Sequence, residues 1–408
     1  MSDVTSEVSW SSVTVDIVEG GLSEVPYVGH ILSDLVPTLW PSADNSVWWE
    51  VEKQVAALID QEISQEVYDN VDLILTGLSD TMNNWNDAVA TNDVSYIQSN
   101  WASIRNIFTT DLPQFQAPGY EILLLPLFAQ AVNLYLSLMR DGAIGAVSWG
   151  WSQDTQNTII SELSEAIPPY VSYAKQYFEE GVQKVTKQAP TDHSDCQPFA
   201  YINSYVRQLT LTVSDYAQLW PFFDISHYPN GITVYLGREI YSDPVGTTTN
   251  SGNIVLPGSP NKPPDIITVW AWDRIDAVQL TYPSGQGPGA VTTTARMGDS
   301  DGGSDQSGHG GVFQVQNNPV VLAEGHAGDI LNAFSFQFQD GTSSGHMGGT
   351  GGTGFAFSYD NHILSSIHIN GVSDYYGSAD CAVFGFKYQE PTNVSGTYLR
   401  IPIGWNGA

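Results

Sequence analysis

Between Glu121 and Arg140 the chain carries no charge: Ile122 to Met139 reads ILLLPLFAQAVNLYLSLM. A segment apolar on nearly every side folds only where water is excluded, in the centre of a helical bundle or in a bilayer. At ~1.5 Å per residue such a helix covers roughly 27 Å, just short of a hydrocarbon core of about 30 Å. Its strongly polar residues, Gln130, Asn133 and Ser137, recur at steps of three and four and so share one face. In a soluble bundle this stripe bonds to neighbouring helices; in an oligomeric pore it faces water. The segment before it, Val94 to Gln116, is amphipathic and joins it through PQFQAPG. An amphipathic and an apolar helix in a hairpin make a candidate insertion unit. Its apolar face is carried by Trp101, Ile104, Phe108, Leu124, Leu127, Leu134 and Leu138. The alternative is a core helix of a soluble bundle.

Other segments supply outer helices. Val67, Val71, Ile74, Leu78, Met82, Trp85 and Val89 follow helical spacing, as do Val94, Ile97, Trp101, Ile104, Phe108, Leu112 and Phe115. A later set is Ile202, Tyr205, Leu209, Tyr216 and Leu219, closed by Pro221. Each has one apolar stripe and one polar face, which suits packing around the apolar segment.

Glycine then divides the chain. Residues 1–245 hold 11 of the 38 glycines, and the remaining 163 residues hold 27. After the turn-rich stretch 245–264, alternating strands replace helical periods. Three of them, 275–282, 330–338 and 363–370, look alike, which suggests three related sheets around one core.

With 44 acidic against 13 basic residues the net charge is −31. Such a polyanion repels phosphate backbones and anionic headgroups, which excludes nucleic acid as a partner and requires a receptor or a pH step for membrane contact. The two cysteines, Cys196 and Cys381, allow one disulfide, but two separate buried thiols are expected. The N-terminal residues lack a basic region followed by an apolar core, so no secretion signal is expected. His309, His326 and His346 lie in Gly-rich loops without a second ligand at metal spacing, so neither a metal nor any cofactor is expected. No nucleophile, phosphate-loop or dinucleotide motif stands out. The expectation is a protein that is not an enzyme, with no catalytic residues.

GYEILLLPLFAQAVNLYLSLMRDG resembles the central-helix block of the insecticidal crystal (Cry) delta-endotoxins. YVRQLTLTVSDYAQLWPFFDISHYP followed by LGREIYSDPV resembles their second block, with matches at Arg207, 209–213, Asp215, Pro221, Asp224, Tyr228, Pro229, Arg238, Glu239, Tyr241 and Pro244. Order and spacing agree over about residues 26–246. The resemblance implies a seven-helix bundle around the apolar helix and insertion of the hairpin at about Val94–Ala143. It also implies that Arg140–Asp141 ends the central helix and that the 207–224 block forms the last helix, packed on the next domain. Tyr135 stands where the family often has His, a departure from the family pattern.

The glycine-rich half also resembles jacalin-related lectins, which are β-prisms, through WDRIDAVQLTY and 352–386. That resemblance implies a sugar or receptor site built from Gly310, Asp374, Tyr375, Tyr376, Gly377 and Asp380. Tyr376 stands where the lectin motif has Gly, so the match is partial.

The reading is therefore a multi-domain α + β chain: a seven-helix bundle over 1–246, a linker over 247–264, and an all-β β-prism (jacalin-like) over 265–408. Residues 1–25 are a candidate activation peptide; no Lys or Arg precedes Lys53, so a chymotrypsin-like cut near Trp10, Leu22 or Tyr27 is expected rather than a tryptic one. Crystal toxins usually add a third, β-sandwich domain, and this chain stops at Ala408, so receptor binding is expected to rest on the prism. The expected function is a pore-forming toxin that recognises a glycan or protein receptor on target cells, insect midgut cells in the first place, and oligomerises in their membrane. It would be made in the cytoplasm, with storage as a crystal inclusion left open, and act outside the producing cell. The alternative is a non-lytic lectin or interaction protein whose helices form a scaffold.

Overall fold

The computed structural model describes Ile59 and residues 64–405, apart from positions 92, 192–195, 230–233, 248–253, 300–308, 360, 373–378, 391–398 and 402–403. The chain divides into two compact units. One comprises 1–184, 208–235 and 393–399; the other comprises 185–207, 236–392 and 400–408.

In the first unit the helices are α1 (Gln65–Ala90), α2 (Val94–Asp111), α3 (Glu121–Gly145) and α4 (Gln153–Gln188). α5 (Gln197–Leu209), which belongs to the second unit as far as Arg207, continues through a π-helical turn at Thr210–Ser214 into α6 (Asp215–Leu219). The rest of the seven-helix expectation falls on residues 1–63, which apart from Ile59 lie outside the described residues. The expected stripes face the core: Val71, Leu78 and Trp85 of α1 and Ile97, Trp101, Ile104 and Phe108 of α2 are buried. Val94 is an exception, 40% exposed at the first position of α2. There the chain is entering the helix, and Asp93 caps it by accepting from the Ser95 and Tyr96 N–H groups at 3.0 and 3.2 Å.

α3 is the centre. Every residue from Leu123 to Ala143 is buried. Around it stand Phe108 against Tyr135, and Phe128 against Tyr170, Tyr173 and Trp220, with ring centroids between 4.6 and 6.4 Å apart. Arg140–Asp141 does not end the helix, which runs on to Gly145. Arg140 can stay inside because its guanidinium donates to the Phe223 and Tyr228 carbonyls at 2.9 and 3.0 Å.

Among the described residues of the second unit, three antiparallel four-stranded sheets hold twelve strands. They are β1 (Glu239–Tyr241), β2 (Val245–Gly246), β3 (Ile266–Ala271), β4 (Ile275–Thr281), β5 (Met297–Gly298) and β6 (Gly311–Gln314). Then come β7 (Val320–Ala327), β8 (Leu331–Phe338), β9 (Met347–Gly348), β10 (Thr353–Phe357), β11 (His362–Val372) and β12 (Ala379–Tyr388). Sheet order is β5-β4-β3-β6, β9-β8-β7-β10 and β11-β12-β1, with β2 also paired to β12. Phe313 meets Phe336 across the first and second sheets at 6.1 Å, and Phe334 meets Phe384 across the second and third at 5.3 Å. Tyr282 beside the first sheet donates its hydroxyl to the Ser365 carbonyl of the third at 3.1 Å. Three sheets meeting pairwise around one aromatic core make a β-prism.

Two expectations change here. Residues 239–246 pair with β12, so they belong to the prism and not to a helical unit ending at 246. The repeat is also aligned differently. Gly246 pairs with Cys381, Gly298 with Ala277 and Gly348 with Ala333. All three glycines have φ between 88° and 110°, and a Cβ on each would strike the carbonyl oxygen of Asp380, Asp276 or Asn332. This close approach excludes a side chain and marks the equivalent position in each sheet. The third repeat is therefore β12, 379–388, and not 363–370, which forms its hairpin partner β11.

Candidate functional site: the buried hairpin and the prism loops

α2 and α3 form the hairpin expected at Val94–Ala143, joined by a 3₁₀ turn at Leu112–Gln116 and Gly119, whose φ is 86°. The joint is tight because Trp101 lies across Gly142. A Cβ on Gly142 would fall 2.5 Å from the indole. The Trp101 Nε1–H donates to the Leu138 carbonyl at 2.9 Å, an acceptor that the close contact brings within reach. Trp101 also meets Trp151 edge-on, and the chain of contacts runs on through Trp149 to Trp85. One turn further along the same face, the Arg105 guanidinium lies over the Trp101 ring at 5.8 Å and pairs with Glu162 of α4 at 2.6 Å, half-buried on both sides. An ion pair of that exposure holds α2 to α4 weakly, by about 1 kcal/mol or less.

Trp101, Ile104, Phe108, Leu124, Leu127, Gln130, Asn133, Leu134, Ser137 and Leu138 are all at most 5% exposed. Within the stripe, Asn133 Oδ1 accepts from the Trp220 indole at 2.7 Å, and Asn133 Nδ2 donates to Gln130 Oε1 at 3.2 Å. The Gln130 Nε2 amide has no protein acceptor. The polar stripe is thus enclosed and incompletely satisfied, which costs stability where it stands. Among the described residues α3 alone is long and apolar enough to cross a membrane, by length and composition.

Asp141 sits one turn from the end of α3, buried, with Oδ2 lacking a hydrogen-bond partner. Burial raises its pKa well above the usual carboxylate range, and Arg140 opposes the rise only in part. Sequence reading missed this residue as a titrating group because a Arg-Asp pair at a helix end ordinarily faces solvent. Tyr135 is buried too; burial pushes its hydroxyl up and away from the range where a His would titrate.

Matched residues of the second block carry structural bonds. Arg207 donates to the Tyr241 carbonyl at 2.7 Å and pairs with Asp243 at 3.0 Å, so the 207 end of α5 is bonded into the prism unit. Asp224 accepts from Ser164 at 2.8 Å, which ties the turn after α6 to α4. Glu239, missed as a centre, is buried and accepts from Tyr241 at 2.8 Å, from Ser366 at 2.7 Å and from Ser365.

The sugar-site residues are distributed unevenly. Asp374, Tyr375, Tyr376 and Gly377 lie outside the described residues. Asp380 is 1% exposed in β12, with its carboxylate against Gly371, and occupies the position of Asp276 and Asn332 in the other sheets. Gly310 lies beside the Val269 carbonyl, where a Cβ would fall 2.3 Å away. The tight backbone approach at Gly310 accounts for the glycine there. The histidines bond locally: His309 stacks on the exposed Trp272 and contacts its carbonyl at 2.9 Å, and His346 reaches the Gly349 carbonyl at 2.7 Å. Among the described residues no group of three or more metal-ligating side chains occurs.

The delta endotoxin N-terminal domain family matches residues 17–224. Pesticidal crystal protein Cry9Ca of Bacillus thuringiensis subsp. tolworthi is 29% identical over 236 residues, covering 55% of this chain and 20% of that protein. Pesticidal crystal protein Cry8Ba of Bacillus thuringiensis serovar kumamotoensis is 30% identical over 236 residues, covering 54% and 19%. The chain thus spans about a fifth of the length of these relatives. In fold it is similar to the Bacillus thuringiensis delta-endotoxin Cry8Ea1, with TM-score 0.76 at 20% identity over 94% of this chain and 73% of that one. It is also similar to PirB, with TM-score 0.72 at 14% identity over 96% and 97%.

Proposed function

The chain belongs to the delta endotoxin family through its N-terminal domain, and from that premise we propose that it is an insecticidal, non-enzymatic pore-forming toxin. The β-prism recognises a glycan or protein receptor on the target cell, an insect midgut cell in the first place, and the α2–α3 hairpin inserts into the membrane. The toxin is made in the producing cell and acts outside it, and its partners are that receptor, the membrane and further copies of itself. The helical domain takes the residues up to α6, and the prism takes β1 to β12.

The observation that carries the reading is the stripe Gln130, Asn133 and Ser137 on an otherwise apolar helix of near-spanning length, buried with one amide unsatisfied. In a water-filled oligomeric pore these groups gain solvent while the apolar faces stay dry. Opening must first release α2 from α4, where the half-buried ion pair Arg105–Glu162 opposes it weakly.

The test is dye release from vesicles made with insect midgut membranes, at pH 5, 7 and 10, with and without chymotrypsin. A variant carrying R105C and E162C in a C196S/C381S background is bridged by a cleavable bis-maleimide. Release is expected from the unbridged variant, none from the bridged one, and recovery on cleavage. Full release from the bridged protein sinks hairpin insertion. Binding to vesicles without release under any condition sinks the toxin reading and favours the lectin.

A further inference from the structure

Cys196 and Cys381 stand 185 positions apart in sequence, yet their sulfurs lie 3.0 Å apart inside the prism unit. Both side chains are fully buried. Two separate thiols were expected; the fold makes them neighbours. We propose that this pair is a disulfide-forming site that joins the start of α5 to strand β12.

Three observations support the link. The separation is inside van der Waals contact of two sulfurs, and closing it to the bond length of about 2.05 Å needs a shift of about 1 Å. Cys196 adopts a left-handed backbone with φ 57°, uncommon for a residue with a side chain, immediately before the first residue of α5. Finally, the prism repeat isolates the second cysteine. The positions equivalent to Cys381 in the other two sheets are Ala277 and Ala333, each fully buried against its paired glycine. Packing at this position therefore calls for a small residue. A sulfur replaces the methyl group only in the sheet that meets Cys196.

The chemistry balances with a low-molecular-weight disulfide as oxidant. One cysteine thiolate attacks glutathione disulfide, breaking its S–S bond and releasing one glutathione. The second cysteine then attacks the mixed disulfide, forming the Cys196–Cys381 bond and releasing another. The two protein thiols are oxidised, the glutathione disulfide is reduced, and the two thiol protons end on glutathione. The contact with Cys196 and burial both push the Cys381 thiol well above its ordinary range. Exchange in the closed fold is consequently slow, and the bond forms as the chain folds. Once formed, it keeps the chain in one covalent piece after a single protease cut anywhere between the two residues.

The experiment refolds reduced, denatured protein in a glutathione redox buffer, then alkylates it in denaturant and weighs it. The expected product has native circular dichroism, no alkylated cysteine, a mass lower by two hydrogens, and a peptide pair joining the two residues. A closed loop of this length predicts that dithiothreitol lowers Tm by ~10–20 °C. C196S and C381S should each lose that sensitivity. Two alkylated thiols, or glutathione left on either cysteine of a natively folded chain, overturn the proposal. If refolding fails, the same weighing is applied to folded protein made in an oxidising compartment, where two free thiols overturn it equally. After a single protease nick between the residues, oxidised protein should run as one band until reduced.

Discussion

Gly142→Ala is expected to loosen the hairpin although it replaces a glycine inside a helix with the best helix former. By propensity alone the change stabilises by about 1 kcal/mol. The new Cβ, however, falls 2.5 to 2.6 Å from three atoms of the Trp101 indole. That ring is 5% exposed, so it cannot swing into solvent without leaving the core. Overpacking of this kind costs about 1–3 kcal/mol. Displacing the ring also breaks the bond from Nε1 to the Leu138 carbonyl, leaving a buried donor at a cost of about 1–3 kcal/mol. The net effect is a loss of about 2–3 kcal/mol, or a Tm lower by ~5–10 °C for a unit of this size. Thermal unfolding followed by the far-ultraviolet helical signal reads it. W101L makes room for the methyl group, so in the double mutant the G142A penalty should shrink by at least about 1 kcal/mol. A G142A protein with unchanged or raised Tm, or strictly additive mutants, would refute the wedge between α2 and α3.

Asp141→Asn should stabilise the helical unit at neutral and alkaline pH. The folded carboxyl binds its proton more tightly than the unfolded one, so its contribution is complete below pH ~4 and is lost as pH rises toward the elevated folded pKa. Urea midpoints from pH 4 to 9 should fall less steeply in the variant; identical slopes would remove Asp141 as the titrating group. Asn133→Leu leaves the Trp220 indole N–H unpaired and should cost about 1–3 kcal/mol in the folded state. If the stripe lines a pore, single-channel conductance should fall as well, and unchanged conductance would place Asn133 off the lumen. Asp93→Ala removes the α2 cap and should lower stability by about 1 kcal/mol in chemical denaturation, with Asp93→Ser keeping most of it.

The helices, the central position of 122–139 and the change to strands after 265 were legible in the sequence because each depends on local periodicity. An uncharged run must be buried, and stripes at three- and four-residue steps must face it. Tertiary structure decided the features that rest on contacts between distant residues. The short strands 239–241 and 245–246 carry too little pattern to announce a sheet, and only pairing with β12 assigns them to the prism. The three-fold repeat is written less in side-chain likeness than in glycines at 246, 298 and 348, each pressed on a carbonyl of a neighbouring strand. Asp380 resembled a loop acceptor by motif but lies inside β12, because strand direction and register, not residue type, decide which carboxylates reach water. Arg140 stayed in the helix through carbonyls 83 and 88 residues away, and Cys196 met Cys381 across 185. Sequence periodicity selects the faces that must be buried; which buried groups then become partners depends on the packing of distant segments.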